Sequence, residues 1–503
     1  MKILDSYKNP VTIYSKVIII LFVLYACFMP DSAGKIFKNS NTWLWTNLNW
    51  FYIWSVAFFL IFAIFLSVSK YRKITLGKDG EKPEFAYWSW IAMLFGAGLG
   101  IGLIFWSIAE PIWHYAGNPW VSDEMSSAHK SQLAMQITIY HWAFHPWAIY
   151  VITGLSMAYF CFRKDLPLTV SSTLSPILGK QTNGFIGKIV DIVAIFATIF
   201  GVATSLGFGV SQISKGLHIL TGLDFFASKE AVYGLIFAIT AVAIYSSVTG
   251  VKKGIRILSE WNLWLSFAIL LLLFILGPTV YLLSSFFINI GHYVVNVLQM
   301  SVEVIDVSVS KWQTWWTIFY WGWWVSWAPF VGMFIARISR GRTIGEFVFG
   351  VLFVSSFISI IWLTIFGNTA LWIEMTQGGI LESVKTQGNE VAVYATFEAL
   401  NYNVFITTIL SVLATILIVT YFVTSADSGT LVLSTLSSGG NIEPPKEHRI
   451  SWGVLEALVA SVLIAVGGLG ALQQAAILVA LPFLFIMWLI IISLMKDLIK
   501  EKV

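Results

Sequence analysis

Four stretches of this 503-residue chain carry residues whose types and spacing could do chemistry. The first, Gly96-Ala97-Gly98-Leu99-Gly100-Ile101-Gly102, has a glycine at every second position in a segment otherwise suited to a helix. Each glycine costs about 0.8 to 1.0 kcal/mol against alanine in a helix interior, so four together make local unwinding cheap. Unwound backbone within a membrane frees carbonyl oxygens for a cation and amides for an anion. The same glycines also form two overlapping GxxxG pairs, Gly96/Gly100 and Gly98/Gly102, and close helix packing explains them equally well.

The second stretch, Trp315 to Trp327, is densely aromatic, and Trp323 and Trp327 lie one turn apart on a shared face. Trp312, Trp315 and Trp316 fit an interfacial belt. Trp327 does not, because it lies about 16 Å along a helix from Trp316. The third stretch, His141 to Tyr150, adds Trp142, Trp147 and Tyr150 around Pro146. Indole faces gathered on one volume suit a quaternary ammonium, which has no N–H to donate and is held by cation–π attraction of roughly 0.5 to 2 kcal/mol per ring. Aromatic core filling is the plainer reading. The fourth stretch, Tyr421 to Gly429, clusters Thr424, Ser425, Asp427 and Ser428 at the end of an apolar run. Hydroxyl and carbonyl oxygens are the hard ligands an alkali ion needs, although a Thr-Ser pair is commonly satisfied by its own helix carbonyls.

Other chemistries find little support. His141 and His145 are spaced i, i+4, but no third metal ligand is evident and no HExxH occurs, which argues against an intramembrane enzyme. Glu110 and Asp191 fall inside apolar runs and read as hydrogen-bonded helix contacts. Cys27 and Cys161 provide neither a disulfide framework nor a metal cluster.

The elements that must position these groups follow from composition. With 57% hydrophobic and 11% charged residues, the chain is no soluble globular protein, and its supply of apolar residues matches about twelve bilayer-spanning helices. Apolar runs fall near 11–30, 48–68, 86–113, 136–161, 185–219, 232–249, 263–288, 314–338, 344–367, 403–429, 451–469 and 472–495. The first is read as a retained helix rather than a cleaved leader. Of the 30 Lys and Arg residues, all but Lys35, Lys38, Lys130, Lys215, Lys229, Lys311 and Lys385 fall on one side if the N-terminus is cytoplasmic. That bias places both termini in the cytoplasm. The segment 290–313 between two of these runs reads as interfacial and amphipathic, and a short tail 496–503 follows the last. The formal charge of +4 is spread without a polybasic run, so nucleic acid is not an expected partner.

The glycine stretch, the Trp-Thr-Ile-Phe-Tyr-Trp-Gly-Trp-Trp block, the loop Ala336 to Thr343 and Thr424-Ser425-Ala426-Asp427-Ser428 together resemble the betaine/choline/carnitine transporter family over nearly the whole chain. The resemblance implies an all-α polytopic fold of two inverted, LeuT-like five-helix repeats, 86–289 and 314–495, preceded by a two-helix segment 1–85. It implies a homotrimer among lipid in a bacterial or archaeal cytoplasmic membrane, and osmoprotective uptake. It assigns Trp142, Trp147, Tyr150, Trp323, Trp324 and Trp327 to a substrate box, with Ser205 on the carboxylate and Phe319 and Trp321 on the pathway. One sodium would sit among Gly96, Leu99, Tyr421, Thr424 and Ser425. A second would use Thr198 and the backbone at Phe330, but Val202 stands where a second threonine is usual. Gly102, where choline-selecting relatives often carry aspartate, favours a zwitterion. Asn262 and Val331 stand where sodium-independent carnitine exchangers have arginine and methionine. The implied activity is sodium-coupled symport of a zwitterionic quaternary-ammonium osmolyte such as glycine betaine, with sodium as coupling ion and no other cofactor. A choline or carnitine transporter or exchanger of the same family is the alternative, and a channel or enzyme is the competing class.

Overall fold

The computed structural model describes residues 9–98 and 100–501, the side chains of 92, 95–98, 249–257 and 259 excepted. The regular elements among them are helices, and the one β pairing is the bridge between Thr75 and Thr343. The principal helices are α1 (Pro10–Phe28), α2 (Pro30–Val68), α3 (Tyr87–Gly98), α4 (Gly100–Ala116), α5 (Ser127–Trp142), α6 (Phe144–Ala158), α7 (Phe185–Thr221), α8 (Lys229–Leu276), α9 (Thr279–Val302), α10 (Thr317–Ile338), α11 (Ile344–Thr376), α12 (Val404–Ser437) and α13 (Lys446–Leu498). Eight of the helical segments are long and apolar enough to cross a bilayer, and the chain is an all-α membrane protein.

The departures from regularity fall where the sequence puts glycine or proline. Within the run 86–113, described on either side of residue 99 as α3 and α4, Gly100 takes φ +33°, a conformation that side-chain-bearing residues rarely adopt. The run 136–161 divides into α5 and α6 at Ala143, three residues before Pro146. Proline cannot donate to the carbonyl four residues back and its ring crowds that carbonyl, which here belongs to Trp142. The break therefore leaves Trp142 as the last residue of α5.

Two helical runs each join what composition reads as a pair of spans. In α13 the helix kinks at Gly467 and Gly468, which are non-helical. In α8 the chain doubles back: Ser246 bonds Asp427, Asn262 bonds Thr424, Ser266 bonds Tyr421, and Leu276 accepts from Tyr402. A straight helix would separate residues 246 and 262 by about 24 Å, whereas their partners on α12 lie only one turn apart.

The expected boundary near 289 moves. The second arm of α8 ends at Leu276, Gly277 and Pro278 interrupt the chain, and α9 begins at Thr279. Leu282, Ser285, Asn289 and Tyr293 form the buried face of α9, while Val280, Leu283, Phe287, Val294, Val295 and Leu298 are exposed. Its outward face is thus apolar, and the helix has the length and composition to cross a membrane.

The largest buried side chains include Trp90, Trp142, Trp147, Trp321, Trp323, Trp324, Trp327, Trp362 and Trp452. At the end of the bundle carrying the C-termini of α6 and α13, Arg163 bonds both Glu501 (2.6 Å) and Asp79 (2.8 Å), and Lys164 bonds Asp497 (2.7 Å). Lys78 pairs with Asp165 beside them. These contacts tie the end of α13 to the end of α6 and to the segment after α2.

Candidate functional site

Residues 319, 323 and 327 of α10 recur every four positions and so line one face of the helix. Phe319 and Trp323 stack with centroids 5.5 Å apart, Trp323 stacks on Trp324 at 4.7 Å, and Trp327 stands edge-on to both at 6.2 and 6.4 Å. Across from them Trp142, carried to the break after α5, meets Trp324 edge-on at 4.9 Å and Trp323 at 6.2 Å. Tyr150 on α6 approaches Trp324 at 6.5 Å and holds Trp147 at 5.7 Å. The structure therefore brings all six expected box residues into one chain of ring contacts. Each is at most 2% exposed.

Two of the smaller expected residues join this cluster. Ser205 Oγ on α7 accepts from Trp323 Nε1 at 3.2 Å, which holds the indole against α7. At Gly102, a Cβ would fall 2.5 Å from Trp323 Cη2 and 3.2 Å from Trp142 Cη2. The two indoles thus close over bare backbone. Trp321 is not brought into the cluster. It lies elsewhere around α10, stacked on His145 at 5.2 Å and edge-on to Tyr140 at 5.2 Å.

Polar atoms around the box divide into two sets. Trp142 Nε1 donates to Glu110 at 2.7 Å, and Trp324 Nε1 donates to the His141 carbonyl at 3.0 Å. Among the described residues, Trp147 Nε1, Trp327 Nε1 and Tyr150 Oη find no hydrogen-bond partner. Buried donors normally find acceptors, so this cluster lacks an acceptor that a ligand carboxylate could supply.

Glu110, read from the sequence as a hydrogen-bonded helix contact, stands beside the box at the edge of Trp142. Its carboxylate accepts from Trp142 and Tyr320, and lies 2.6 Å from His141 Nδ1 and 3.2 Å from His114 Nε2. The other nitrogen of His141 reaches Thr317 Oγ1 at 3.0 Å. With four partners the carboxylate has little capacity left for a ligand. It is bound at the N–H edge of Trp142 and anchors that indole. The His141/His145 pairing dissolves, because His145 bonds Ser301 at 2.8 Å. The ligand atoms of Glu110, His114 and His141 lie within 4.8 Å of one another, a triad that sequence spacing did not suggest. Asp191 is occupied as expected, accepting from the amide and hydroxyl of Ser171.

The oxygens proposed for a cation lie where α4 meets α12. A Cβ on Gly100 would stand 3.4 Å from Ser425 Oγ, so the start of α4 abuts Ser425. Thr424 Oγ1 donates to the Thr420 carbonyl at 2.7 Å and accepts from Asn262 at 2.9 Å. The Tyr421 hydroxyl pairs with Ser266 at 2.9 Å, leaving its carbonyl as the group of interest. Gly96 belongs to α3, and Leu99 lies outside the described residues. For the second set, Gly201 on α7 packs against Ser326 and Trp327 on α10. Thr198 lies about a turn before Gly201, and Phe330 about a turn after Ser326. The Thr198 hydroxyl is bonded to the Ala194 carbonyl at 2.9 Å. Val202 turns instead toward Gly429 of α12, on which a Cβ would meet Val202 Cγ2 at 3.2 Å.

One ionisable residue escaped the reading of the sequence. Glu456, fully buried in α13, is the only charged residue between Arg449 and Lys496. That isolation within an apolar run was the available signal.

The family described as "BCCT, betaine/carnitine/choline family transporter" matches residues 10–503. The glycine betaine transporter OpuD of Bacillus subtilis is 44% identical over 483 residues, covering 95% of this chain and 92% of its own. A probable glycine betaine transporter of Desulfitobacterium hafniense is 40% identical over 497 residues, covering 98% of each. A glycine betaine transporter of Acinetobacter baylyi is 42% identical over 492 residues, covering 97% of this chain and 73% of its own.

Proposed function

Because the chain belongs to the betaine/carnitine/choline transporter family, a family of transporters rather than enzymes, we propose that it takes up a zwitterionic quaternary-ammonium osmolyte such as glycine betaine by sodium-coupled symport. The observation that carries this reading is the closed cluster of Trp142, Trp147, Tyr150, Trp323, Trp324 and Trp327 with Gly102 beneath it. Ring faces attract a methylated ammonium through cation–π interaction. The unpartnered donors of Trp147, Tyr150 and Trp327 supply what a carboxylate needs, and Gly102 offers no counter-charge to a bare cation such as choline. The names of the relatives support the same substrate class.

A zwitterion carries no net charge, so the membrane potential can drive its uptake only through a co-transported cation, at about 2.3 kcal/mol per charge per 100 mV. Gly96, Leu99, Tyr421, Thr424 and Ser425 would hold one sodium. In support, Thr424 and Ser425 lie on α12, and Gly100, at φ +33°, stands against Ser425, where irregular backbone frees carbonyl oxygens. The second set, Thr198 and Phe330, lacks the hydroxyl that Val202 displaces. Transport would proceed by alternating access, in a homotrimer with both termini cytoplasmic, and the physiological role would be osmoprotection.

Uptake of radiolabelled glycine betaine into proteoliposomes tests the proposal, with an inward sodium gradient and with sodium replaced by potassium. Accumulation that collapses without sodium is expected. Accumulation that persists moves the protein to exchange, and preferential uptake of choline over glycine betaine overturns the zwitterion assignment.

A further inference from the structure

Glu456 lies about 15 Å along α13 from its first residue, well inside the bundle. It is fully buried where α7, α12 and α13 meet. Oε2 accepts from Thr430 Oγ1 at 3.1 Å, and Oε1 finds no partner among the described residues. A Cβ placed on Gly429 would stand 2.9 Å from Oε1 and 3.2 Å from Val202 Cγ2, so the free oxygen rests against glycine backbone near an apolar side chain. One turn from Thr430, Asp427 shows the same half-satisfied state: Oδ2 accepts from Ser246 at 2.7 Å and Oδ1 has no partner.

An ionised carboxylate with a single hydroxyl donor and no cation is costly in such surroundings. Two occupants could neutralise it, an alkali ion or a proton. An alkali ion needs a shell of several oxygens, whereas Oε1 rests against the backbone of Gly429 with the methyl groups of Val202 beside it. A proton needs one oxygen. Of the charged groups nearby, Asp427 on α12 acts electrostatically on Glu456, and Arg449 at the start of α13 acts on Asp427. Lys16 of α1 bonds Ser451 Oγ at 2.6 Å. From α7 the facing residue is Val202, and from α8 it is Ile244, packed on Gly453. Arg449 donates to the Ser247 carbonyl at 2.7 Å. Among the described residues none of these cations bonds Glu456.

We propose that Glu456 is a proton-binding site whose occupancy is coupled to transport, separate from the sodium oxygens one turn away at Thr424 and Ser425. Glu456 Oε1 takes a proton from water when the site opens to one side and returns it to water on the other, so the carboxyl crosses the dry stage of the cycle neutral. The inference rests on the glycine betaine reading above.

Proteoliposomes containing the purified protein and the pH dye pyranine test it, with sodium equal on both sides and the potential clamped at zero. Inward glycine betaine flux should acidify the lumen, and the ratio of protons to labelled betaine should fall to zero in Glu456→Gln. Thr430→Val, which removes the hydroxyl that favours the ionised form, should shift the midpoint of the pH dependence of uptake upward. Betaine uptake without acidification overturns the proton site alone, as does an unchanged ratio in Glu456→Gln or an unchanged midpoint in Thr430→Val. Absence of betaine uptake overturns the substrate reading and this coupling with it.

Discussion

Gly102→Ala adds one methyl group where the structure leaves no room for it. The new Cβ would stand 2.5 Å from Trp323 Cη2, against an ordinary contact of 3.4 to 4 Å, and 3.2 Å from Trp142 Cη2. Neither indole can flex within itself, so Trp323 must retreat by about 1 Å or the start of α4 must shift by as much. Trp323 has little freedom to do so, being stacked on Trp324 and Phe319 and tied to Ser205 through Nε1. Overpacking of this kind costs about 1 to 3 kcal/mol. Because both displaced rings belong to the proposed box, we expect much of that cost in substrate affinity, a rise of roughly 5- to 150-fold in apparent KM. Radiolabelled glycine betaine uptake in proteoliposomes measures it, with size-exclusion profiles checking the fold. Gly102→Asp separates bulk from charge: it should lose glycine betaine affinity as Gly102→Ala does, yet gain choline uptake that the alanine variant lacks. A well-folded Gly102→Ala protein with wild-type KM would refute the placement of the substrate between Trp142 and Trp323.

Trp323→Leu and Trp327→Leu each remove one ring face worth roughly 0.5 to 2 kcal/mol to an ammonium, so apparent KM should rise about 2- to 30-fold while the protein remains monodisperse. Unchanged affinity in both would remove the cation–π argument. At the far end of the bundle, the Arg163 guanidinium, helped by Lys164 and Tyr159, holds the Glu501 carboxyl down at about 2 from its ordinary 4.5. A carboxyl whose folded value is depressed contributes stability that is fully present above the unfolded value and is lost as pH falls through the folded one. The Tm difference between wild type and Arg163→Gln should therefore stay constant from pH 8 to 5 and shrink as pH falls toward 3. A difference as large at pH 3 as at pH 7 would count against the pairing.

The box was legible because its residues obey local rules. Phe319, Trp323 and Trp327 share a face by helical repeat alone, and Pro146 announces a break that delivers Trp142 from the preceding turn. Trp321 shows the limit of that reasoning: it stands two positions from both Phe319 and Trp323, and i, i+2 neighbours on a helix do not face each other. The buried charges were less legible. Glu110 binds His114 within its own helix but His141, Trp142 and Tyr320 from others, and no spacing rule connects 110 to 320. The boundary near 289 was missed because Gly277 and Pro278 interrupt a run that is apolar on both sides, where composition alone marks no edge.

The glycine stretch shows why its two sequence readings need not compete. Gly100, at φ +33°, releases the chain from regular helix beside Ser425, and Gly102, two residues on, packs bare backbone against Trp323 and Trp142. Unwinding and close approach therefore occupy successive glycines of one short segment. On the proposed reading this segment touches the sodium oxygens at one point and the indole box at the next. A cation drawing in the backbone around Gly100 would then move the wall against which Trp323 rests, by the same tight contact that forbids a methyl group at Gly102. Affinity for the methylated substrate would depend on the cation with no direct bond between them. The coupling free energy would be reciprocal, so that substrate tightens sodium by the factor by which sodium tightens substrate. Relieving the contact at Trp323 should weaken both factors equally.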